Sequence, residues 1–178
     1  MNYIIFDLEA TCWENDRLKQ NEIIEIGAVK VNDKLDIVGE FQTFIKPRMN
    51  PQLSDFCKNL TSISQKDIDT ATYFPTAIYK FQEWIGKEPY HLCSWGFYDK
   101  SQLKKDCELH KIRTEWIRNH ISIKHQHGKL IGNDRGVGME RALKMLNLPL
   151  EGTHHRGIDD AKNISRIFVK IFDQLKFG

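Results

Sequence analysis

Tyr3-Ile4-Ile5-Phe6-Asp7-Leu8-Glu9 is an apolar run that ends abruptly in two acids. Its shortness and its flanks predict a buried strand. Working outward, Glu22–Val31 (EIIEIGAVKV) is rich in β-branched residues and predicts a second strand. Ile37–Ile45 predicts a third, closed by Lys46-Pro47. Turn-like breaks at Asn32-Asp33 and at Gly39 suggest an antiparallel meander. The pattern then changes. Phe74, Ala77, Ile78, Phe81, Trp84 and Ile85 recur at helical spacing, with Pro75 suited to a first turn. His91–Trp95 predicts a fourth strand, Asp99 opens a helix to about Leu109, and Ile121–Ile123 predicts a short fifth strand. Met139–Leu148, stopped by Pro149, and a last segment from Arg156 to about Leu175 predict two further helices. Strands in succession, then strands alternating with helices, imply an α/β fold: a mixed five-stranded sheet flanked by helices. Sites in such sheets lie at strand ends where the topology switches.

The 178 residues suit one domain spanning 1–178 with a substantial core, and 40% hydrophobic residues suffice to fill it. A net charge of +2 neither demands nor excludes nucleic acid. Basic residues do crowd Lys100–Lys144, which reads as a solvated helical face or as a local patch. Cys12, Cys57, Cys93 and Cys107 form no C-x-x-C pair, so free thiols in a reducing cytosol are expected. The N-terminal apolar run is too short and too soon acidic for a signal peptide, and no run is long enough to span a membrane. A cytoplasmic location is the expectation.

The acids carry the chemistry. Side chains two apart on a strand share a face, so Asp7 and Glu9 continue the face of Tyr3 and Ile5. Two carboxylates leaving a buried strand repel each other unless cations neutralise them, and Mg²⁺ prefers oxygen ligands. The plainer reading is that the strand ends there and both acids are solvated. Asp99, with Gln102 three residues on, has the pattern of a helix cap, which is compatible with reaching a metal-bound water. In His155-Arg156-Gly157-Ile158-Asp159-Asp160, helical periodicity separates the two acids. Asp160 shares the core face with Ile164, Ile167, Phe168 and Ile171, whereas Asp159 falls with Asn163, Arg166 and Lys170 on the solvent side. Asp160 is therefore the better ligand. A histidine just ahead of this helix suits general-base duty. On these grounds His154 and His155 remain equivalent.

The ordered set D-L-E-A-T, S-W-G-x-x-D and H-R-G-I-D-D-A resembles the DEDDh exonucleases of the ribonuclease H-like superfamily. FDLEATCW, NEIIEIGAV, QLSDFCKNLTSI and HHRGIDDAKNISRI are most similar to its ERI-type subgroup, which includes the histone-mRNA 3′ exonuclease and bacterial KapD-like proteins. The likeness runs from about residue 3 to 173. It departs at Ser62, where the family often has glycine. The resemblance implies a ribonuclease H-like sheet and stepwise 3′→5′ hydrolysis of a single-stranded 3′ end, RNA rather than DNA, releasing nucleoside 5′-monophosphates. It implies two divalent ions, Mg²⁺ or Mn²⁺, about 4 Å apart, held by Asp7, Glu9, Asp99 and Asp160. Asp7 bridges both ions, Glu9 and Asp160 hold the nucleophile-side ion, and Asp99 holds the other. The family's four-residue gap favours His155 as general base. Phe56 is implied as a stacking platform, and Ala10 and Thr11 as backbone contacts to the terminal ribose. The complete set of acids argues against a non-catalytic RNA-binding module. His125 and His127, two apart on an expected strand, lack the further ligands of a zinc site. Trp13, Trp95 and Trp116 read as packing residues or as RNA platforms. Glu25, inside an apolar strand, has no assigned role.

Overall fold

In the computed structural model, which describes residues 1–16 and 18–175, the first three runs form the expected meander. Strand β1 is Asn2–Ala10, β2 is Ile23–Val31 and β3 is Ile37–Lys46, with β1–β2 and β2–β3 both antiparallel. Two short helices follow, α1 (Asp55–Thr61) and α2 (Gln65–Asp69). Ser54 caps α1 by accepting the Cys57 amide at 3.0 Å. Next come β4 (Thr72–Tyr73) and α3 (Phe74–Ile85). Strand β5 (Tyr90–Ser94) returns parallel to β1 on its other edge. Helix α4 (Tyr98–Leu109), β6 (His120–Ser122), α5 (Ile123–Leu130), α6 (Met139–Met145) and α7 (Gly157–Ile171) complete the order. The sheet runs β4-β3-β2-β1-β5-β6.

The sheet is mixed and flanked by helices as expected, with six strands rather than five. The additional strand, β4, is a two-residue parallel pairing with Ile45 and Lys46, too short to leave a periodic trace. Gly39 is not a break. It lies within β3, where the Trp84 ring packs 3.5 Å from the position its Cβ would take. The hairpin turns instead at Asn32, whose side-chain oxygen accepts the Lys34 and Asp36 amides, both at 2.9 Å. The expected strand at Ile121–Ile123 is shifted by one residue. Ile123 opens α5, so His125 and His127 stand on a helix rather than a strand.

Alternation along β1 divides the core. Ile4, Phe6 and Leu8 pack with Phe74, Ile78 and Phe81 of α3 and Leu103 of α4. Tyr3 and Ile5 pack with Ile164, Ile167 and Phe168 of α7 and Leu143 of α6. Burial on both faces explains why β1 and β2 read as nearly continuous apolar runs. Helix α7 lies unusually close to the sheet. A Cβ on Gly27 of β2 would sit 2.1 Å from the Gly157 carbonyl carbon, so only glycine permits this approach. Among the described residues, no helix is long and apolar enough to cross a membrane.

Candidate active site

The end of β1 places Asp7 and Glu9 on the face that α7 covers, and Asp160 lies in the first turn of α7. One ligand oxygen from each of Asp7, Glu9 and Asp160 lies within 4.8 Å of the others. Asp160 is 4% exposed on the core side, as periodicity predicts. Asp159 takes no part in this cluster and accepts the Thr153 amide at 2.8 Å. Its neighbour Asn163 is buried rather than solvated, and it ties the helix to Glu151 through two hydrogen bonds.

Asp99 completes the set from α4, though not as a cap. Phe97 holds the N-cap position without a side-chain bond, while Asp99 sits inside the first turn, 6% exposed. Gln102 reaches Asn21 and Asp106 instead. The reason is a long-range donor. Pairing of β5 with β1 extends only to Ile5, and beyond it the Leu8 amide donates to the Asp99 carboxylate at 3.2 Å.

The cluster is electrostatically frustrated. Burial pushes the Asp7 carboxyl well above the usual range, and repulsion from Asp99, Glu9, Asp160 and Glu25 adds to it. Burial, with Asp160 and Glu25 next, raises Glu9 to about 8. Asp99 rises to about 6 because burial outweighs its bond from the Leu8 amide. Among the described residues, no Lys or Arg forms an ion pair with Asp7, Glu9, Asp99 or Asp160. An all-oxygen donor set with uncompensated repulsion fits divalent cations.

Glu25 finds its role here. Fully buried, it accepts from Gln42 Nε2 at 2.8 Å, the Gly157 amide at 3.0 Å and Arg156 Nε at 3.3 Å. It thereby fixes the N-terminus of α7 over the sheet, where the helix dipole favours an anion. An acid within an apolar strand was the signal; its partners on α7, over a hundred residues away, were not legible.

The two histidines separate by geometry. His154 Nδ1 bonds Asp160 Oδ1 at 2.9 Å, and the His155 backbone amide donates to Asp160 Oδ2 at 3.0 Å. His155 adopts a left-handed backbone, φ 63°, and the two rings stack at 3.9 Å. Among the described residues, the His155 ring nitrogens have no hydrogen-bond partner. Burial and the neighbouring His154 lower its pKa, keeping the ring neutral and able to accept a proton.

Asp7, Glu9, Asp99, His154, His155 and Asp160 line one cavity of about 610 Å³. Trp95, Phe97, Tyr98, Lys124 and His125 line the same cavity, a group the sequence reading did not place there. Phe56 lies outside this lining, on α1, and is 39% exposed rather than packed in the core. Thr11, just past the end of β1, is held to Glu22. Its amide donates to the Glu22 carbonyl at 2.8 Å and its hydroxyl accepts the Glu22 amide at 2.9 Å, so its backbone is committed to the fold. Ala10 pairs with Ile23 at a register shift in the β1–β2 ladder. Trp95 bonds Val137, Trp116 bonds Arg113, and Trp13 carries the Lys19 ammonium over its ring. All four cysteines are free thiols. Among the described residues, His125 and His127 join no metal-ligating cluster.

Acids converging at the end of a central strand, beside a loop histidine and a helix N-terminus, mark a ribonuclease H-like fold whose oxygen-donor site fits divalent cations. The chain belongs to the exonuclease family, whose model matches residues 4–168. It is 34% identical to human 3′-5′ exoribonuclease 1, over 94% of this chain and 51% of that protein. It is 28% identical to the probable 3′-5′ exonuclease KapD of Bacillus subtilis (strain 168), over 97% of this chain and 85% of that protein. The nuclease domain of 3′hExo, a DEDDh family member bound to rAMP, superposes with a TM-score of 0.92 at 32% identity, covering 99% of this chain and 96% of that one. The chain thus spans about half the length of the mammalian exoribonuclease 1 proteins it matches.

Proposed function

We propose that this chain is a single exonuclease domain that removes nucleotides from the 3′ end of single-stranded nucleic acid, RNA in preference to DNA. The observation that carries the reading is the convergence of Asp7, Glu9 and Asp160 within 4.8 Å, with no Lys or Arg paired to them among the described residues. The exoribonuclease names of the relatives support RNA as the polymer. Asp7, Glu9, Asp99 and Asp160 would hold two divalent ions, Mg²⁺ or Mn²⁺. When bound, these ions polarise the phosphodiester and lower the pKa of the attacking water.

His155 accepts the proton of that water as its oxygen forms a bond to phosphorus. The bond from phosphorus to the 3′-oxygen of the preceding nucleotide breaks, that oxygen takes a proton from solvent, and a nucleoside 5′-monophosphate departs. His154 orients Asp160 through its 2.9 Å bond, and Glu25 holds the helix that presents Asp160. Phe56 offers a face to the terminal base, and Ala10 a backbone contact to its ribose.

The test is digestion of single-stranded RNA and DNA oligonucleotides with Mg²⁺ or Mn²⁺, with products sized from each labelled end. Stepwise shortening from the 3′ end, abolished by EDTA and by Asp7→Asn, is the expected result. Cleavage of a circular RNA, or activity of Asp7→Asn above a few per cent, refutes it.

A further inference from the structure

One wall of the carboxylate cavity has no part in the roles assigned above. Phe97, in the turn between β5 and α4, is 52% exposed although it lines a cavity. Its ring lies 4.6 Å from the His125 imidazole at an interplanar angle of 31°. His125 is oriented in turn by a 2.7 Å bond between its Nδ1 and Ser122 Oγ. Lys124 stands beside it, its backbone anchored by a 2.7 Å bond to the Trp95 carbonyl. Four carboxylates share the cavity, yet among the described residues the Lys124 ammonium pairs with none of them. A partly exposed aromatic pair beside a cation without an ion-pair partner matches the composition of a single-strand binding surface, where bases stack and cations meet phosphates.

Position fixes which part of the polymer this wall would meet. Strand β1, bearing Asp7 and Glu9, lies between β2 and β5 in the sheet. On the β2 side, α1 carries Phe56 and packs its Cys57 on Ile24. On the β5–β6 side lie Phe97, Lys124 and His125. The reacting phosphodiester sits at the carboxylates, so a terminal base at Phe56 leaves the opposite wall to the nucleotide upstream. We infer that Phe97, His125 and Lys124 form a subsite for the nucleotide on the 5′ side of the scissile bond. Its base rests on the Phe97–His125 pair and its own phosphate meets Lys124. This inference rests on the exonuclease reading. Stacking is indifferent to base identity, so the subsite confers polymer recognition without sequence preference.

The experiment compares two substrates of the intact chain. Oligouridylate fills both subsites, whereas the 4-nitrophenyl ester of uridine 5′-monophosphate replaces the upstream nucleotide with a leaving group that carries no phosphate of its own. In Phe97→Ala and Lys124→Ala, the ratio of kcat/KM on the oligomer to that on the ester falls about tenfold each, the scale of losing a stacked base or a phosphate contact. Lys124→Arg restores the ratio. Oligomer binding, measured in Ca²⁺ across a salt series, loses about 0.7 from the slope of log K against log salt in Lys124→Ala, the signature of one phosphate contact on a single strand. An unchanged ratio, or an unchanged salt slope, overturns the subsite. If the wild-type chain hydrolyses neither substrate, the exonuclease reading fails and the subsite falls with it, whereas an active wild type with an unchanged ratio overturns the subsite alone.

Discussion

Replacing Glu9 with glutamine should make the metal-free protein more stable, by an amount that depends on pH. In the folded chain the Glu9 carboxyl is raised from 4.5 to about 8, chiefly by burial and then by Asp160 and Glu25. The folded state therefore holds a proton that the unfolded chain releases between these values. Stability falls as pH rises above 4.5, and the loss is complete above 8. At 1.36 kcal/mol per pH unit the full penalty is roughly 5 kcal/mol, an upper bound because the site relaxes and admits water. Glutamine carries no such penalty. Denaturant titrations in EDTA from pH 4 to 8.5 should show wild type and Glu9→Gln nearly equal at pH 4. At pH 8 the variant should lead by several kcal/mol. Mg²⁺ should reverse the order by stabilising only the wild type, since ligand binding to the folded state adds RT ln(1 + [L]/Kd). A difference between the two proteins that is constant with pH would refute the claim that repulsion and burial, rather than packing, dominate at Glu9.

Three further expectations test other parts of the site. His155→Ala should lower kcat by about 10²–10⁴-fold, the range for loss of a general base, and His154→Ala by less; the reverse order in steady-state assays would transfer the role to His154. Ser62 holds the left-handed C-cap of α1 at φ 58°, so Ser62→Gly should stabilise by about 1 kcal/mol and raise Tm by about 2–4 °C in calorimetry. Gly27→Ala should push α7 off the sheet, because the new Cβ meets the Gly157 carbonyl carbon at 2.1 Å; a marked loss of both Tm and Mg²⁺ affinity is expected, and wild-type values for both would contradict the close approach.

What the sequence made legible was whatever rests on local periodicity. Alternation in β1 placed Asp7 and Glu9 on one face, and the 3.6-residue period of α7 distinguished Asp160 from Asp159. The resemblance singled out Ser62 as a departure from the family's glycine, and the left-handed backbone there, φ 58°, came only with the structure. The features that escaped depend on distant partners or on segments too short to show a period. The bond from the Leu8 amide to Asp99 crosses 91 positions and the bond from Gly157 to Glu25 crosses 132. Helices α1 and α2, with seven and five residues, do not repeat an apolar stripe. Helix α5 follows β6 without a loop, so the β-branched Ile121 and Ile123 made a strand seem to continue into it.

The assembly of the carboxylates from opposite ends of the chain also bears on biosynthesis. Asp7 and Glu9 of β1 leave the ribosome well before Asp160 in the first turn of α7 and the histidines just ahead of it. Until α7 docks through Gly27 and Glu25, the nascent polypeptide has an incomplete metal cage. A site built this way has no local precursor, and its oxygen donors come together only when the fold closes.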